Sequence, residues 1–271
     1  MWEGVSRMLK IHSAGRSDVG KKREKNEDSF LIDEDLGLFV VADGMGGHLG
    51  GEYASQLAVT TIKEVLQILD EDPEATLVSE LEIDPNNMGE RFRYAIRVAC
   101  MKIFEEATHD PTLRGMGTTT VGLFVRHNVG YLANVGDSRC YQLRHGKVQQ
   151  LSIDHSLVSE QLRAGLITLQ DAQSHKYKNI ITRSVGYQED VESDLWEVDL
   201  QLGDRYLLCT DGLTNMISDE NIGKALKSTN IETASRSLIN EANKNGGDDN
   251  ITVVLLEVYE DEEGSEQEQT V

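Results

Sequence analysis

The stretch Gly37-Leu38-Phe39-Val40-Val41-Ala42-Asp43-Gly44-Met45-Gly46-Gly47-His48 decides how the rest of the chain is read. Leu38 to Val41 form an apolar run whose β-branched and aromatic members suit a short buried strand. The strand runs into Asp43, and glycine then occupies positions 44, 46, 47, 50 and 51. A carboxylate at the end of a buried strand is costly unless a cation pairs with it. Glycines let the backbone turn sharply and bring a carbonyl close to a ligand. The combination reads as a metal-binding elbow feeding a helix that starts near Gly51. An ordinary strand-to-helix turn with a capping Asp satisfies the same residues taken alone.

On the N-terminal side, residues 11 to 16 and 28 to 33 read as strands, with a polar, mixed-charge loop from Ser17 to Asp28 between them. On the C-terminal side, Ala54, Ala58, Ile62, Leu66 and Leu69 mark the buried stripe of a helix over about 51–69. An acidic surface loop covers 70 to 88, and a second helix covers about 89–108, with Phe92, Ile96, Ala99, Ile103 and Ala107 facing inward. Strands follow at 118–126, 129–135 and 139–144, the last paired with 147–152 through the turn His145-Gly146. Residues 156 to 178 are polar and weakly helical and read as a mobile flap inserted before a strand-like Asn179-Ile180-Ile181-Thr182. A strand from Arg205 ends at Asp211-Gly212, helices follow at about 219–227 and 231–244, and Ile251 to Tyr259 is the last strand.

The 271 residues carry a formal net charge of −21, which excludes nucleic acid or an anionic membrane as the main partner, since each needs a basic footprint. Glu257 to Val271 contains seven acidic residues and no basic one, and residues 259–271 read as a frayed, disordered tail. Cys100, Cys140 and Cys209 lie far apart inside apolar stretches, with no C-x-x-C pair, so neither a structural zinc site nor a disulfide framework is indicated. No apolar run reaches the ~20 residues of a membrane span, and no signal-peptide core opens the chain. The expectation is a cytoplasmic protein.

Acidic residues recur beside glycine at expected strand ends: Asp43-Gly44, Gly136-Asp137, Asp211-Gly212 and Gly247-Asp248-Asp249-Asn250. Two like charges ~4 Å apart repel by about 4 kcal/mol at an effective dielectric near 20. Converging carboxylates would therefore protonate or splay unless divalent cations held them. Oxygen ligands without a Cys or His cluster point to magnesium or manganese. The spacing of an EF-hand loop is absent, as are G-x-x-x-x-G-K-[ST] and G-x-S-x-G, and Met45 stands where a haloacid-dehalogenase site has its second Asp.

Taken in order, Arg23…Asn26-Glu27-Asp28, Val41 to His48, Gly115-Met116-Gly117-Thr118-Thr119, Asn134 to Arg139, Asp154-His155-Ser156, Thr210 to Thr214 and Gly247 to Thr252 resemble the bacterial branch of the PPM metal-dependent protein phosphatases, the protein phosphatase 2C type. The resemblance covers roughly residues 11 to 258. It implies an α+β fold, a four-layer α-β-β-α sandwich of two antiparallel sheets packed face to face with helices outside, in a domain spanning 1–258. It also implies hydrolysis of phosphoserine and phosphothreonine by attack of a water or hydroxide bridging two metal ions, in phosphoprotein substrates that include a serine/threonine kinase, by a monomer. Asp43 would bridge two Mn²⁺ or Mg²⁺ ions, with Gly44 lending its carbonyl. Asp211 and Asp249 would complete the first site and Glu27 the second. Asp28 and Asn250 would support these ligands. Arg23 would bind the substrate phosphate, and Asp137 would share a weaker third ion with Asp211. Met45 stands where some relatives have a proton-donating His, leaving His48 or a water as the acid, while His155 is expected to order the base of the flap. A catalytically dead binding module and a hydrolase of small phosphate metabolites are the rival classes. The first usually lacks metal carboxylates that are all present here, and the second needs a closed pocket that no residue pattern marks.

Overall fold

The computed structural model describes residues 9–260 except 47, 48, 79, 80, 82, 174 and 229. In chain order come β1 (Leu9–Asp18), β2 (Asp28–Asp33), β3 (Leu38–Met45), α1 (Gly50–Glu71), α2 (Met88–His109), β4 (Gly117–Thr118) and β5 (Thr120–Arg126). Then follow β6 (Val129–Val135), β7 (Arg139–Arg144), β8 (Lys147–Gln150), α3 (Leu157–Arg163), α4 (Leu169–Gln173) and β9 (Asp194–Asp199). The chain continues through β10 (Arg205–Cys209), α5 (Asp211–Thr214), α6 (Asp219–Leu226), α7 (Ile231–Lys244) and β11 (Ile251–Glu260).

The strands form two sheets, one ordered β1-β11-β10-β7-β8 and the other β2-β3-β5-β6-β9 with β4 added against β3. The paired strands run antiparallel. Alternation along each central strand explains the layering, because successive side chains leave opposite faces. Phe39 and Val41 of β3 meet Val254, Leu256 and Val258 of β11 and Tyr206 and Leu208 of β10 between the sheets. Leu38, Val40 and Ala42 point the other way, into the apolar stripes of α1 and α2. Leu207, Cys209, Val253 and Leu255 pack outward against α6 and α7. The result is the expected α-β-β-α sandwich, and strands buried on both faces read as unbroken apolar runs for that reason.

Local chemistry sets the turns. The hairpins β5–β6 and β7–β8 close through His127-Asn128 and His145-Gly146, all four at positive φ (49°, 64°, 50° and 76°), the two-residue geometry whose twist suits paired strands. Helix α2 starts where Asn87 accepts from Glu90 N at 3.0 Å, a side-chain N-cap.

Four expectations need correction. The strand at 118–126 is interrupted at Thr119, whose N–H still bonds Asp43 O at 2.9 Å. Residues 179–182 form no strand. They are tethered to the base of the flap through Leu157 N to Ile180 O (2.9 Å) and Thr182 N to His155 O (2.8 Å). Strand β9 has no counterpart in the sequence reading: it is an edge strand with three acidic residues in six, half exposed along most of its length. Finally, Glu260, assigned to the tail, extends β11 one residue beyond the expected Tyr259 and pairs with Leu9; residues 261–271 lie outside the described residues. The segment expected as a flap carries α3 and α4.

Candidate metal centre

Strands β2 and β3 set Asp28 directly opposite Asp43, and β10 and β11 lie side by side so that Asp211 and Asp249 meet beyond their ends. Arg23, Glu27, Asp43, Gly44, Asp137, Asp211, Asp249 and Asn250 all line one cleft of about 500 Å³. Residues far apart in sequence are thus brought together, and Asp28 lies buried just behind them. A larger groove of about 810 Å³ beneath α3 and α4 adjoins the cleft and shares Asp137 and Asp211 with it. His48 lies outside the described residues, and among those described no histidine lines the cleft.

The backbone at Asp43 is fixed from three directions. Its N–H donates to Thr119 Oγ1, and its carbonyl accepts from Thr119 N and Thr118 Oγ1, each at 2.9 Å. Thr118 and Thr119 are therefore the clamps of the elbow. Gly44 is needed for close approach: a Cβ there would lie 2.0 Å from Gly51 O and 2.5 Å from Glu27 O. A Cβ on Gly51 would fall 2.7 Å from Glu27 Oε1 and 2.9 Å from Gly44 O. The missing side chain of Gly51 leaves those two oxygens facing a common hollow.

Asn250 is the hub of the facing turn. Its Oδ1 accepts from Glu27 N at 2.8 Å, and its Nδ2 donates to Val19 O and Lys25 O at 3.0 and 2.8 Å. It holds the Arg23–Glu27 loop to the start of β11. Arg23 reaches across the cleft to Asp249 Oδ2 at 2.7 Å, with 48% of its side chain exposed.

Burial first, then the carboxylates of Asp28, Asp211, Asp137 and Asp249, hold the Asp43 carboxyl well above the usual range. Burial likewise pushes Asp28 up to about 7 against the pull of the Thr252 and Thr210 hydroxyls, and Asp137 up to about 8 with Asp211 and Asp154 adding repulsion. Asp211 is raised by burial and by Asp249, and Glu27 is raised by burial against the opposing field of Arg23. Such crowding is what divalent cations relieve.

The donors fit hard cations. Buried Asp28 Oδ1 and Asp211 Oδ1 have no hydrogen-bond partner among the described residues, which marks polar atoms open to one. Among the described residues no three Asp, Glu, His or Cys side chains close round a single ion. The carboxylates line an open cleft instead, and ions there would complete their shells with main-chain carbonyl and water oxygens. Asp137 is free of the ion pair that its neighbour Arg139 could have made. Arg139 binds Asp154 instead, with Nε 3.0 Å from both carboxylate oxygens and Nη2 2.7 Å from Oδ2.

Two supporting residues escape sequence reading or are read there only in outline. Asn215 donates from Nδ2 to Asp211 Oδ2 at 3.0 Å and accepts from Lys178 Nζ at 3.3 Å, joining the flap segment to the cleft. Its place four residues after Asp211, one helical turn on, is the signal that could have found it. His155 accepts from Gly136 N at Nδ1 (3.1 Å), which puts its proton on Nε2, 3.2 Å from Asp194 Oδ2. It ties the Gly136-Asp137 turn to β9 and to Thr182, in keeping with a role at the base of the flap.

A family model described as Protein phosphatase 2C matches residues 15–244. The serine/threonine phosphatase stp of Listeria monocytogenes is 39% identical over 251 residues, covering 91% of this chain and 96% of that protein. The crystal structure of the Mycobacterium tuberculosis serine/threonine phosphatase PstP/Ppp superposes with a TM-score of 0.80 at 35% identity, covering 92% of this chain and 99% of that one. The catalytic domain of PstP in complex with two manganese ions gives a TM-score of 0.81 at 34% identity, covering 93% of this chain and all of its own. With the sandwich and the acidic cleft already in place, these likenesses establish that the chain belongs to the protein phosphatase 2C family.

Proposed function

We propose that this protein phosphatase hydrolyses phosphoserine and phosphothreonine in proteins, including a serine/threonine kinase, as a cytoplasmic monomer whose cleft binds Mn²⁺ or Mg²⁺. The observation that carries the reading is the convergence of Glu27, Asp43, Asp137, Asp211 and Asp249 on one cleft with Arg23 at its edge. Among the described residues no helix is long and apolar enough to cross a membrane.

Asp43 would hold two ions at once. Asp211 and Asp249 would complete one site, and Glu27 with the Gly44 carbonyl the other. Bound divalent cations supply Lewis acidity towards water and phosphoryl oxygens. The chain's own contribution is orientation and charge. The clamps on Asp43 fix the backbone that carries the carboxylate which would hold both ions, and Asn250 sets Glu27 and the Arg23 loop against it. Arg23 offers a planar, always charged fork to the non-bridging phosphate oxygens, and swinging to them would release Asp249 Oδ2 towards the cleft. Asp28 supports from behind, held by Thr252 Oγ1 at 2.7 Å and Thr210 Oγ1 at 2.9 Å. Asp137, unpaired with Arg139, is suited to a third, weaker ion shared with Asp211.

The test is turnover of p-nitrophenyl phosphate and a phosphothreonine peptide with manganese, in EDTA, and in Asp43→Ala. Activity should vanish in EDTA, return with manganese, and be lost in Asp43→Ala while the fold survives by circular dichroism. Undiminished turnover in EDTA overturns the reading.

A further inference from the structure

We propose that the loop from Lys21 to Lys25 is a docking rim for a second anionic group on the substrate, so that the protein favours phosphopeptides carrying an additional negative charge near the scissile phosphate. The inference rests on the phosphatase reading above and adds a substrate class to it. Its starting point is an electrostatic problem: a chain of net charge −21 repels a dianionic phosphoester at long range, and steering an anion to such a surface requires a local reversal of sign. The reversal is found at the mouth of the cleft. Lys21, Lys22, Arg23 and Lys25 place four cations against the single anion Glu24, and all five residues are exposed.

This is a fastened loop, not a loose basic tail. Lys21 N donates to Gly247 O at 2.7 Å, and Lys25 O accepts from Asn250 Nδ2 at 2.8 Å. Gly20 has φ +77°, and a Cβ there would lie 2.2 Å from Asp249 O. The cations are therefore carried on backbone bound to the same turn that presents Asp249. Arg23, in the middle, enters the cleft itself. Lys21 and Lys22 make no ion pair among the described residues, unlike Arg97 with Asp190, Arg144 with Asp204 or Lys224 with Glu220. Two exposed cations carried on fastened backbone next to Arg23, and unpaired among the described residues, are open to an incoming anion.

The spacing sets the reach. Consecutive Cα atoms are ~3.8 Å apart and an extended peptide advances ~3.3 Å per residue. If Arg23 takes the scissile phosphate, Lys22 and Lys21, one and two positions before it, face a group about one or two residues away along the substrate. A carboxylate side chain or a second phosphate supplies the same chemistry, and the rim itself does not choose between them.

The experiment compares kcat/KM on p-nitrophenyl phosphate and on three phosphothreonine peptides, whose flanks carry neutral residues, Glu, or a second phosphothreonine. Wild type and Lys21→Ala/Lys22→Ala are measured with manganese at low and high salt. The double variant should lose about three- to tenfold on the anionic-flank peptides, through KM. Its rates on the neutral peptide and p-nitrophenyl phosphate, and its melting temperature, should stay at wild-type values. High salt should erase the wild-type preference. Whichever anionic flank shows the loss identifies the source of the charge. Equal loss on every substrate, or no preference by wild type while p-nitrophenyl phosphate is still turned over, overturns the rim and leaves the phosphatase reading intact. No turnover of any substrate with manganese overturns both.

Discussion

Replacing Asp28 by Asn should make the metal-free protein more stable at alkaline pH, although Asp28 is a buried, hydrogen-bonded residue. Its carboxyl is pushed from an ordinary 3.8 up to about 7. Between those values the folded chain keeps a proton that the unfolded chain has released, so this group's contribution to stability falls as pH rises and is lowest above about 7. Three pH units at ~1.4 kcal/mol each set a ceiling of about 4 kcal/mol for the penalty. The amide side chain of Asp28→Asn would keep an acceptor for the Thr252 and Thr210 hydroxyls but would set an NH₂ where Oδ1 lacks a partner, at a cost of about 1–3 kcal/mol. The net gain is on the order of 1–3 kcal/mol, which for a domain of this size raises the melting temperature by roughly 2–10 °C. Melting followed by circular dichroism in EDTA at about pH 8.5 and about pH 5 reads the effect, which should be confined to the higher pH. In manganese it should shrink or reverse, because cations relieve the same repulsion. A variant that melts below wild type in EDTA at the higher pH, or gains as much at the lower, refutes the reasoning.

Arg23→Ala should raise KM for phosphoesters more than it lowers kcat, with manganese affinity held within about threefold by calorimetric titration. Collapse of metal binding would instead make Arg23 a neutraliser of Asp249, its partner at 2.7 Å. Asn215→Ala should weaken manganese binding by roughly tenfold or more, since Asp211 Oδ2 loses its donor; an unchanged titration removes Asn215 from the site. Arg91→Leu should leave the carbonyls of Leu69 and Pro85 without their guanidinium donor and lower stability by about 2–4 kcal/mol in urea. It should leave kcat of the folded fraction unchanged, and a loss of kcat at full folding would show that the 70–88 loop reaches the cleft.

The legible parts of the fold are those in which one physical signal dominates. Helices α1 and α2 show apolar residues at helical spacing against a polar remainder, and both lie within two residues of the expected bounds. Strand β3 is buried on both faces and so reads as an unbroken apolar run. Strand β9 fails on the same ground: Asp194-Leu195-Trp196-Glu197-Val198-Asp199 is an edge strand whose polar half faces water, and its pairing with β6 is a tertiary fact without a local signature. Ile180 and Ile181 mislead in the opposite direction, since two adjacent apolar residues resemble a strand. Here Ile180 is 46% exposed and Ile181 lines the cleft.

The candidate site is legible for a different reason. Its carboxylates sit beside glycines because the geometry demands it at each corner. Gly44 cannot carry a Cβ against Gly51 O, nor Gly212 against Asn250 O at 1.9 Å, and Gly136 turns at φ +104° with Thr119 Cγ2 2.6 Å from where its Cβ would stand. An acid and a glycine at a strand end therefore mark a place where backbone crowds round a charge, and that mark survives in sequence. Side-chain supports leave no such trace. Arg139 lies two residues from Asp137 and looks like its partner, yet Gly136 throws Asp137 into the cleft while β7 carries Arg139 towards Asp154, fifteen residues on. Asn215 and His155 act through side-chain hydrogen bonds to Asp211 and Gly136, and an Asn or His so placed looks in sequence like any other. The acids of this cleft can be read from the chain because their backbone is constrained. The residues that aim them can be read only once the sheets have closed.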